Sequence, residues 1–141
     1  MIFGRRKRTI NRILIVEDEP LVAFDNEHIV GDAGYEVVAT VDTVEDAVRA
    51  IAENEIDLVL ADVNLSAGGT GLEVAHAAKA KGVPLLFVTG ACPVDAQALS
   101  IGCLAKPYPP LALLGAIEAV DATLAGRPVR KPPAGLTFFA H

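Results

Sequence analysis

Short apolar runs alternate with helical segments along most of this chain. Residues 13–16 and 56–61 are almost entirely apolar, as expected for strands buried on both faces of a sheet. Pro20 follows the first run at a position where proline starts helices, and Gly34 can end that helix. The pattern therefore predicts a strand followed by a helix as the repeating unit.

The strand–helix unit recurs five times. Thr43 with Asp46 resembles a capping box at one helix start, and Thr70 with Glu73 forms a better one. The predicted strands are residues 13–16, 36–41, 56–61, 84–88 and 103–105, and the predicted helices are residues 20–34, 43–53, 70–82, 94–100 and 110–125. This alternation predicts an α/β fold, a doubly wound five-stranded parallel sheet covered by helices on both faces.

Two terminal segments differ in composition from the rest of the chain. Residues 1–9 form a basic arm, and residues 126–141 form a proline-containing tail that closes with Leu136, Phe138 and Phe139. Residues 10–125 between them have the size of one ordinary domain. We predict one domain with two short extensions, and the tail is too short for an output domain.

Composition and charge narrow the possible functions. Hydrophobic residues make up 52% of the chain, which supports a packed core and argues against disorder. The net charge is −6 despite the basic arm, which disfavours a nucleic-acid-binding domain. No apolar run approaches the roughly 20 residues of a membrane span, and no long apolar segment follows the basic start as in a secretory signal. We expect a cytoplasmic protein, in which Cys92 and Cys103 remain reduced thiols.

Polar side chains follow four of the predicted strands. They are Glu17, Asp18 and Glu19 after the first strand, Asp62 after the third, Thr89 at the end of the fourth and Lys106 after the fifth. Because these ends meet at one edge of a parallel sheet, the side chains can converge there. A carboxylate cluster suits Mg²⁺, and an aspartate can act as a nucleophile that forms an aspartyl phosphate. Singly, each residue has a structural reading, such as an acidic turn that caps the next helix.

Five segments in this order resemble the receiver domain of two-component response regulators. They are Ile-Leu-Ile-Val-Glu-Asp-Glu-Pro at 13–20, Leu-Ala-Asp-Val-Asn-Leu at 60–65, Gly-Thr-Gly-Leu-Glu at 69–73, Val-Thr-Gly at 88–90 and Ala-Lys-Pro-Tyr at 105–108. The resemblance covers residues 10–125 and implies the flavodoxin-like (βα)5 receiver fold. It also implies that Asp62 accepts phosphate from a sensor histidine kinase or a histidine phosphotransfer protein.

The resemblance assigns roles to the other residues at the strand ends. Asp18, Asp62 and the backbone carbonyl of Asn64 would hold Mg²⁺, and Glu17 would act through water. Thr89 would hydrogen-bond one phosphate oxygen and Lys106 would pair with another. The peptide between Lys106 and Pro107 is expected to be cis, which costs little before proline.

Two features depart from the usual receiver pattern. Cys103 stands where receivers carry a switch aromatic, and the stretch from Thr89 to Lys106 is short, which predicts a shortened fourth helix. Both resemble a subgroup of single-domain receivers with a Phe-Ala-Thr-Gly-type fourth strand. We therefore expect the switch to use Thr89 and residues 90–93 rather than an aromatic rotamer.

Three functions stay open at this point. The first is a stand-alone, non-enzymatic phosphoacceptor that signals or shuttles phosphate through protein contacts. The second is an aspartyl-phosphate hydrolase, although Asn64 stands where such enzymes carry a second carboxylate. The third is an interaction module that is never phosphorylated.

The last predicted helix is a candidate partner surface. Glu118 and Asp121 are its only charges over residues 111–124, so part of its outer face is expected to be covered. The candidates are a second copy of the chain, a kinase helix or the tail itself. Alternatively, the small alanines of this helix simply tolerate exposure. The resemblance implies that partners bind the face formed by the fourth helix, the fifth strand and the fifth helix, and a homodimer through this face and a helix covered by the tail are favoured equally.

Overall fold

A computed structural model describes residues 8–65 and 69–139, which leaves most of the basic arm and the last two residues of the tail outside the described residues. The strands are β1 (Arg12–Val16), β2 (Glu36–Val41), β3 (Leu58–Ala61), β4 (Leu85–Thr89), β5 (Gly102–Ala105) and β6 (Leu136–Phe138). The helices are α1 (Pro20–Asp32), α2 (Val44–Glu53), α3 (Gly71–Lys81) and α4 (Pro110–Leu124), with a 3-10 helix η1 (Val94–Ala98) between β4 and β5.

The strands form one sheet in the order β2-β1-β3-β4-β5-β6. The first five strands are parallel, as the alternating pattern predicts, and the carboxyl ends of β1, β3, β4 and β5 lie along one edge. Helices cover both faces of this sheet, which confirms the doubly wound α/β fold. The fourth predicted helix is reduced to η1, which confirms its expected shortening.

Alternate residues of the strands enter two separate cores. Leu14 and Val16 belong to the core that contains residues of α2 and α3. Ile13 and Ile15 belong to the other core, which contains residues of α1 and α4. All four side chains are at most 1% exposed, which explains why β1 is a continuous apolar run.

The helix ends follow the capping patterns of the sequence. Thr43 accepts a hydrogen bond from the backbone N–H of Asp46, and Thr70 with Glu73 forms a complete capping box. α3 is capped at its carboxyl end by Gly82, whose φ of 77° is in the left-handed region that glycine adopts readily.

The five predicted parallel strands are confirmed, and the tail adds to them a sixth strand, β6, that was not predicted. β6 pairs antiparallel with β5, and Gly135, with φ of 89°, precedes it. The two strands approach closely at Gly102, where any Cβ would collide with the carbonyl oxygen of Thr137. A strand of only three residues leaves no periodic pattern in the sequence. The strongest indication of β6 was therefore Gly102 in the partner strand, because a glycine within a strand often marks the close approach of another backbone.

The tail also contacts α4 before it reaches the sheet. A Cβ on Gly115 would lie 3.5 Å from the ring of Pro133. Beside this contact, Asp121 Oδ1 accepts hydrogen bonds from the backbone N–H groups of Thr9 and Ile10, and Asp121 Oδ2 lies 3.3 Å from Arg127. Of the three candidate coverings for the last helix, the structure shows the tail. Among the described residues, no helix is long and apolar enough to cross a membrane.

The expectation of reduced thiols was wrong. A disulfide joins Cys92 in the loop after β4 to Cys103 in β5, and their Cα atoms are 6.3 Å apart. This separation lies within the range that disulfides span. The pairing depends on the adjacency of β4 and β5, which spacing along the chain does not reveal.

Candidate functional site

Three of the predicted site residues converge at the carboxyl edge of the sheet. The Nζ atom of Lys106 lies 2.7 Å from Glu17 Oε1 and 2.9 Å from Asp62 Oδ2. Glu17 and Asp62 are 4% and 6% exposed, so both carboxylates are buried beside the ammonium group. One cation therefore bridges acidic groups that come from β1 and β3.

Backbone contacts fix the position of Asp62. Its N–H donates to the carbonyl of Val16 over 3.0 Å, and its Oδ1 accepts from the N–H of Asn64 over 3.1 Å. Gly71 at the start of α3 lies directly against Asp62, because a Cβ there would collide with the Asp62 carbonyl oxygen. The first residue of α3 is thus packed against the backbone of the candidate acceptor.

Glu17 is held in the same way at the end of β1. Its N–H donates to the carbonyl of Val41 over 2.9 Å, and its Oε2 accepts from the N–H of Glu19 over 3.2 Å. Burial raises the pKa of the Glu17 carboxyl, and the hydrogen bond from Lys106 only partly offsets this rise. Loss of the proton is therefore less favourable here than in water.

Lys106 remains a cation in this environment. Burial alone would lower its pKa, but the hydrogen bonds and charges of Glu17 and Asp62 outweigh burial and raise the pKa above its ordinary value. The peptide bond between Lys106 and Pro107 is cis, as the resemblance implied. The site thus contains a permanent positive charge at hydrogen-bonding distance from the Asp62 carboxylate.

The acidic groups are arranged to fit a hard divalent cation. Glu17, Asp18 and Asp62 each offer one carboxylate oxygen, and these oxygens lie within 4.8 Å of one another. Oxygen ligands in small number, completed by water and phosphate, are what Mg²⁺ prefers in proteins. Asn64 lies beside this group, where its backbone pairs with Thr70 in an isolated bridge. Its carbonyl as a ligand stays a prediction.

Thr89 contacts Lys106 through its backbone, whereas its hydroxyl is hydrogen-bonded to Ala91. The Thr89 carbonyl accepts from the N–H of Lys106 over 2.8 Å. Its hydroxyl donates to the carbonyl of Ala91 over 3.3 Å and accepts from the Ala91 N–H over 3.5 Å. A hydrogen bond donated by this hydroxyl to a phosphate on Asp62 therefore requires it to give up its bond to the Ala91 carbonyl.

Two residues that the sequence reasoning missed border the site. The Tyr108 hydroxyl donates to Asn26 Oδ1 over 3.0 Å, and Asn26 is 4% exposed. With Glu19 and Lys106 they line a cavity of about 330 Å³ between α1 and the start of α4. In the sequence, these two residues could have been noticed only as a polar asparagine within α1 and a tyrosine two residues after Lys106.

Comparison with known proteins identifies the family. The model of the response regulator receiver domain matches residues 13–118. The phyllosphere-induced regulator PhyR of Methylorubrum extorquens is 39% identical over 79 residues, which are 55% of this chain and 30% of that regulator. The matched segment is therefore less than a third of that relative.

Solved structures agree with the sequence comparison. The signal receiver domain of a modulated diguanylate cyclase from Desulfovibrio desulfuricans G20 is 29% identical with a TM-score of 0.73, covering 83% of this chain and 97% of that one. The chemotaxis response regulator CheY4 of Vibrio cholerae is 28% identical with a TM-score of 0.69, covering 79% and 99%. Receiver domains in general are phosphoacceptor modules of two-component signalling. This chain belongs to the response regulator receiver domain family.

Proposed function

We propose that Asp62 accepts a phosphoryl group from a phosphohistidine of a sensor histidine kinase or a histidine phosphotransfer protein, in a reaction that depends on Mg²⁺. The observation that carries this proposal is the placement of Asp62 Oδ2 2.9 Å from Lys106 Nζ, within a cluster of three carboxylates. Asp62 supplies a nucleophile, and Lys106 together with a cation held by the carboxylates would supply charge neutralisation, which are the main needs of phosphoryl transfer.

The proposed reaction assigns one task to each residue. An oxygen of the Asp62 carboxylate attacks phosphorus, and the bond between phosphorus and the histidine nitrogen breaks. Lys106 stays protonated and pairs with a phosphoryl oxygen, while Thr89 turns from Ala91 to donate to another. Asp18, Asp62 and the Asn64 carbonyl would hold Mg²⁺, with Glu17 acting through water. A cation held there would offset the repulsion between the carboxylates and the incoming phosphate.

Exposed apolar side chains next to the site suggest where the phosphodonor binds. Leu21 and Phe24 on α1 are 80% and 60% exposed, although large apolar side chains are usually buried. They follow the loop that carries Glu17 and Asp18, so a partner bound there can present its phosphohistidine to Asp62. In this proposal, α1 is the docking surface for the donor, and the protein acts in the cytoplasm.

We further propose that downstream partners bind at the β5–β6 end of the sheet. The tail covers the edge of β5 and part of α4, so a homodimer through this face has to bind over the tail or displace it. The homodimer stays a prediction, as does membership of the subgroup with a Phe-Ala-Thr-Gly-type fourth strand.

A small phosphodonor separates the proposed function from its two alternatives. With acetyl phosphate and Mg²⁺, a phosphoacceptor forms one adduct per chain that decays slowly. A hydrolase consumes many equivalents of donor, and an unphosphorylated interaction module does neither. Asn64 has no carboxyl group to act as acid and base, and its N–H donates to Asp62 Oδ1 instead. We therefore expect a single adduct.

A further inference from the structure

The disulfide lies close to Thr89, whose hydroxyl moves towards the phosphoryl group in the proposed function. Cys92 directly follows Ala91, and Ala91 is the partner that holds the Thr89 hydroxyl through its carbonyl and its N–H. Cys103 lies in β5, three residues before Lys106, and its β-sheet neighbours are Phe87 in β4 and Thr137 in β6. The bond therefore fastens the loop after β4 to β5, a strand that is paired on both sides.

The two sulfurs differ in their access to solvent. Cys92 is exposed, whereas Cys103 is 3% exposed. Of the two cysteines, Cys92 is therefore the one that an external thiolate can approach without opening the core. Disulfides that persist in the cytosol are uncommon, and those found there are usually transient and redox-sensing.

We propose that Cys92–Cys103 is a reversible thiol–disulfide site, opened by a dithiol reductant, that controls whether the Thr89 hydroxyl can leave Ala91 for a phosphoryl group on Asp62. The inference rests on the proposed function of Asp62. The reductant is defined only by its chemistry: it is a small-molecule dithiol or a protein dithiol that can approach an exposed sulfur.

The exchange balances in two steps. One thiolate of the reductant attacks Cys92 Sγ, the bond between the two protein sulfurs breaks, and Cys103 leaves as a thiolate. The second thiol of the reductant then loses its proton and attacks the reductant sulfur bound to Cys92. Cys92 is released as a thiolate, and the reductant becomes a disulfide. Two electrons pass to the protein, and the two thiolates take up two protons.

The disulfide restrains the loop after β4, and this restraint affects the Thr89 hydroxyl. In the disulfide form, Cys92 is bonded to β5, so Ala91 stays in place and keeps the Thr89 hydroxyl. In the dithiol form, the loop from Gly90 to Pro93 is free of this bond and can move with Thr89 towards Asp62. The dithiol form thus gains one hydrogen bond to a charged phosphoryl oxygen, which corresponds to about tenfold tighter binding of a phosphate mimic.

The test compares the full chain in its disulfide and dithiol forms. Native protein is treated with dithiothreitol, its thiols are counted by alkylation and mass spectrometry, and beryllofluoride with Mg²⁺ is titrated into each form. We expect complete reduction without unfolding and about tenfold tighter binding by the dithiol form. Cys92→Ser should match the dithiol form with or without reductant, and Thr89→Ala should abolish the difference. Resistance to reduction, or measurable binding that is equally tight in both forms, would overturn the inference.

A second readout keeps this inference separate from the proposed function. If neither form binds beryllofluoride, the assignment of Asp62 fails, and hydrogen exchange at the Ala91 amide then decides the inference. Faster exchange of this amide after reduction, with no change at the Leu14 amide in β1, supports a redox-controlled loop. Unchanged exchange at Ala91 contradicts it.

Discussion

The first residue of α3, Gly71, lies against the carbonyl oxygen of Asp62 so closely that no side chain fits between them. The Gly71 N–H also donates to the carbonyl of Val63 over 2.7 Å. The start of one helix is therefore part of the support of the acceptor aspartate, although it contributes no chemical group to the site.

Gly71→Ala is expected to disturb the acceptor as well as the fold. The added methyl group has to displace the backbone of Asp62, at a cost of about 1–3 kcal/mol in the free energy of unfolding. Phosphorylation by acetyl phosphate should slow in the folded variant. Gly31→Ala is the matched control, because a Cβ at Gly31 in α1 meets no atom within 4 Å. Equal phosphorylation rates for both variants would contradict the proposed support.

Glu17→Gln should stabilise the metal-free protein at neutral pH relative to wild type. Burial raises the pKa of Glu17 in the folded state, so wild type loses stability as pH rises from near 4.5, the ordinary pKa of glutamate, through this raised value. The difference between variant and wild type should therefore grow over that pH range and then level off. Urea unfolding at several pH values in EDTA measures it. A difference that does not change with pH would be inconsistent with the raised pKa.

Phe24→Ala should slow phosphoryl transfer from a protein donor but not from acetyl phosphate. The aromatic side chain is 60% exposed on α1 beside the site, and its loss should weaken donor binding by about tenfold if it lies at the centre of the interface. Val48→Ala is the control, because α2 packs on the other face of the sheet. Equal loss with both kinds of donor would show that Phe24 acts on the chemistry instead of on docking.

Asp121→Ala should destabilise the protein by about 2–3 kcal/mol, because it leaves the N–H groups of Thr9 and Ile10 without their acceptor. Glu118→Ala on the exposed side of the same helix should change stability by less than about 0.5 kcal/mol. Chemical unfolding of both variants measures the contrast. Similar values for the two would mean that the contacts of Asp121 to the amino-terminal segment and to Arg127 contribute little.

The sheet and the acidic site were predictable because both depend on local patterns. Apolar runs and capping residues defined the strands and helices, and the topology of parallel strands then placed Glu17, Asp62 and Lys106 at one edge. The disulfide and β6 were not predictable, because each depends on contacts between distant segments. The contact of the Thr89 hydroxyl with Ala91 was not predictable either, because Ala91 is not part of the motif. The bond from this hydroxyl to a phosphate oxygen stays a prediction.

The most direct measurement is the mass of the chain after incubation with acetyl phosphate and Mg²⁺, followed by peptide mapping of the adduct. The proposed function predicts one phosphoryl group on Asp62, none in Asp62→Asn, and normal labelling in Asp95→Asn, which changes an exposed aspartate of η1. Chelation of Mg²⁺ should prevent the wild-type adduct. Labelling of Asp62→Asn to the wild-type level would show that Asp62 is not the acceptor.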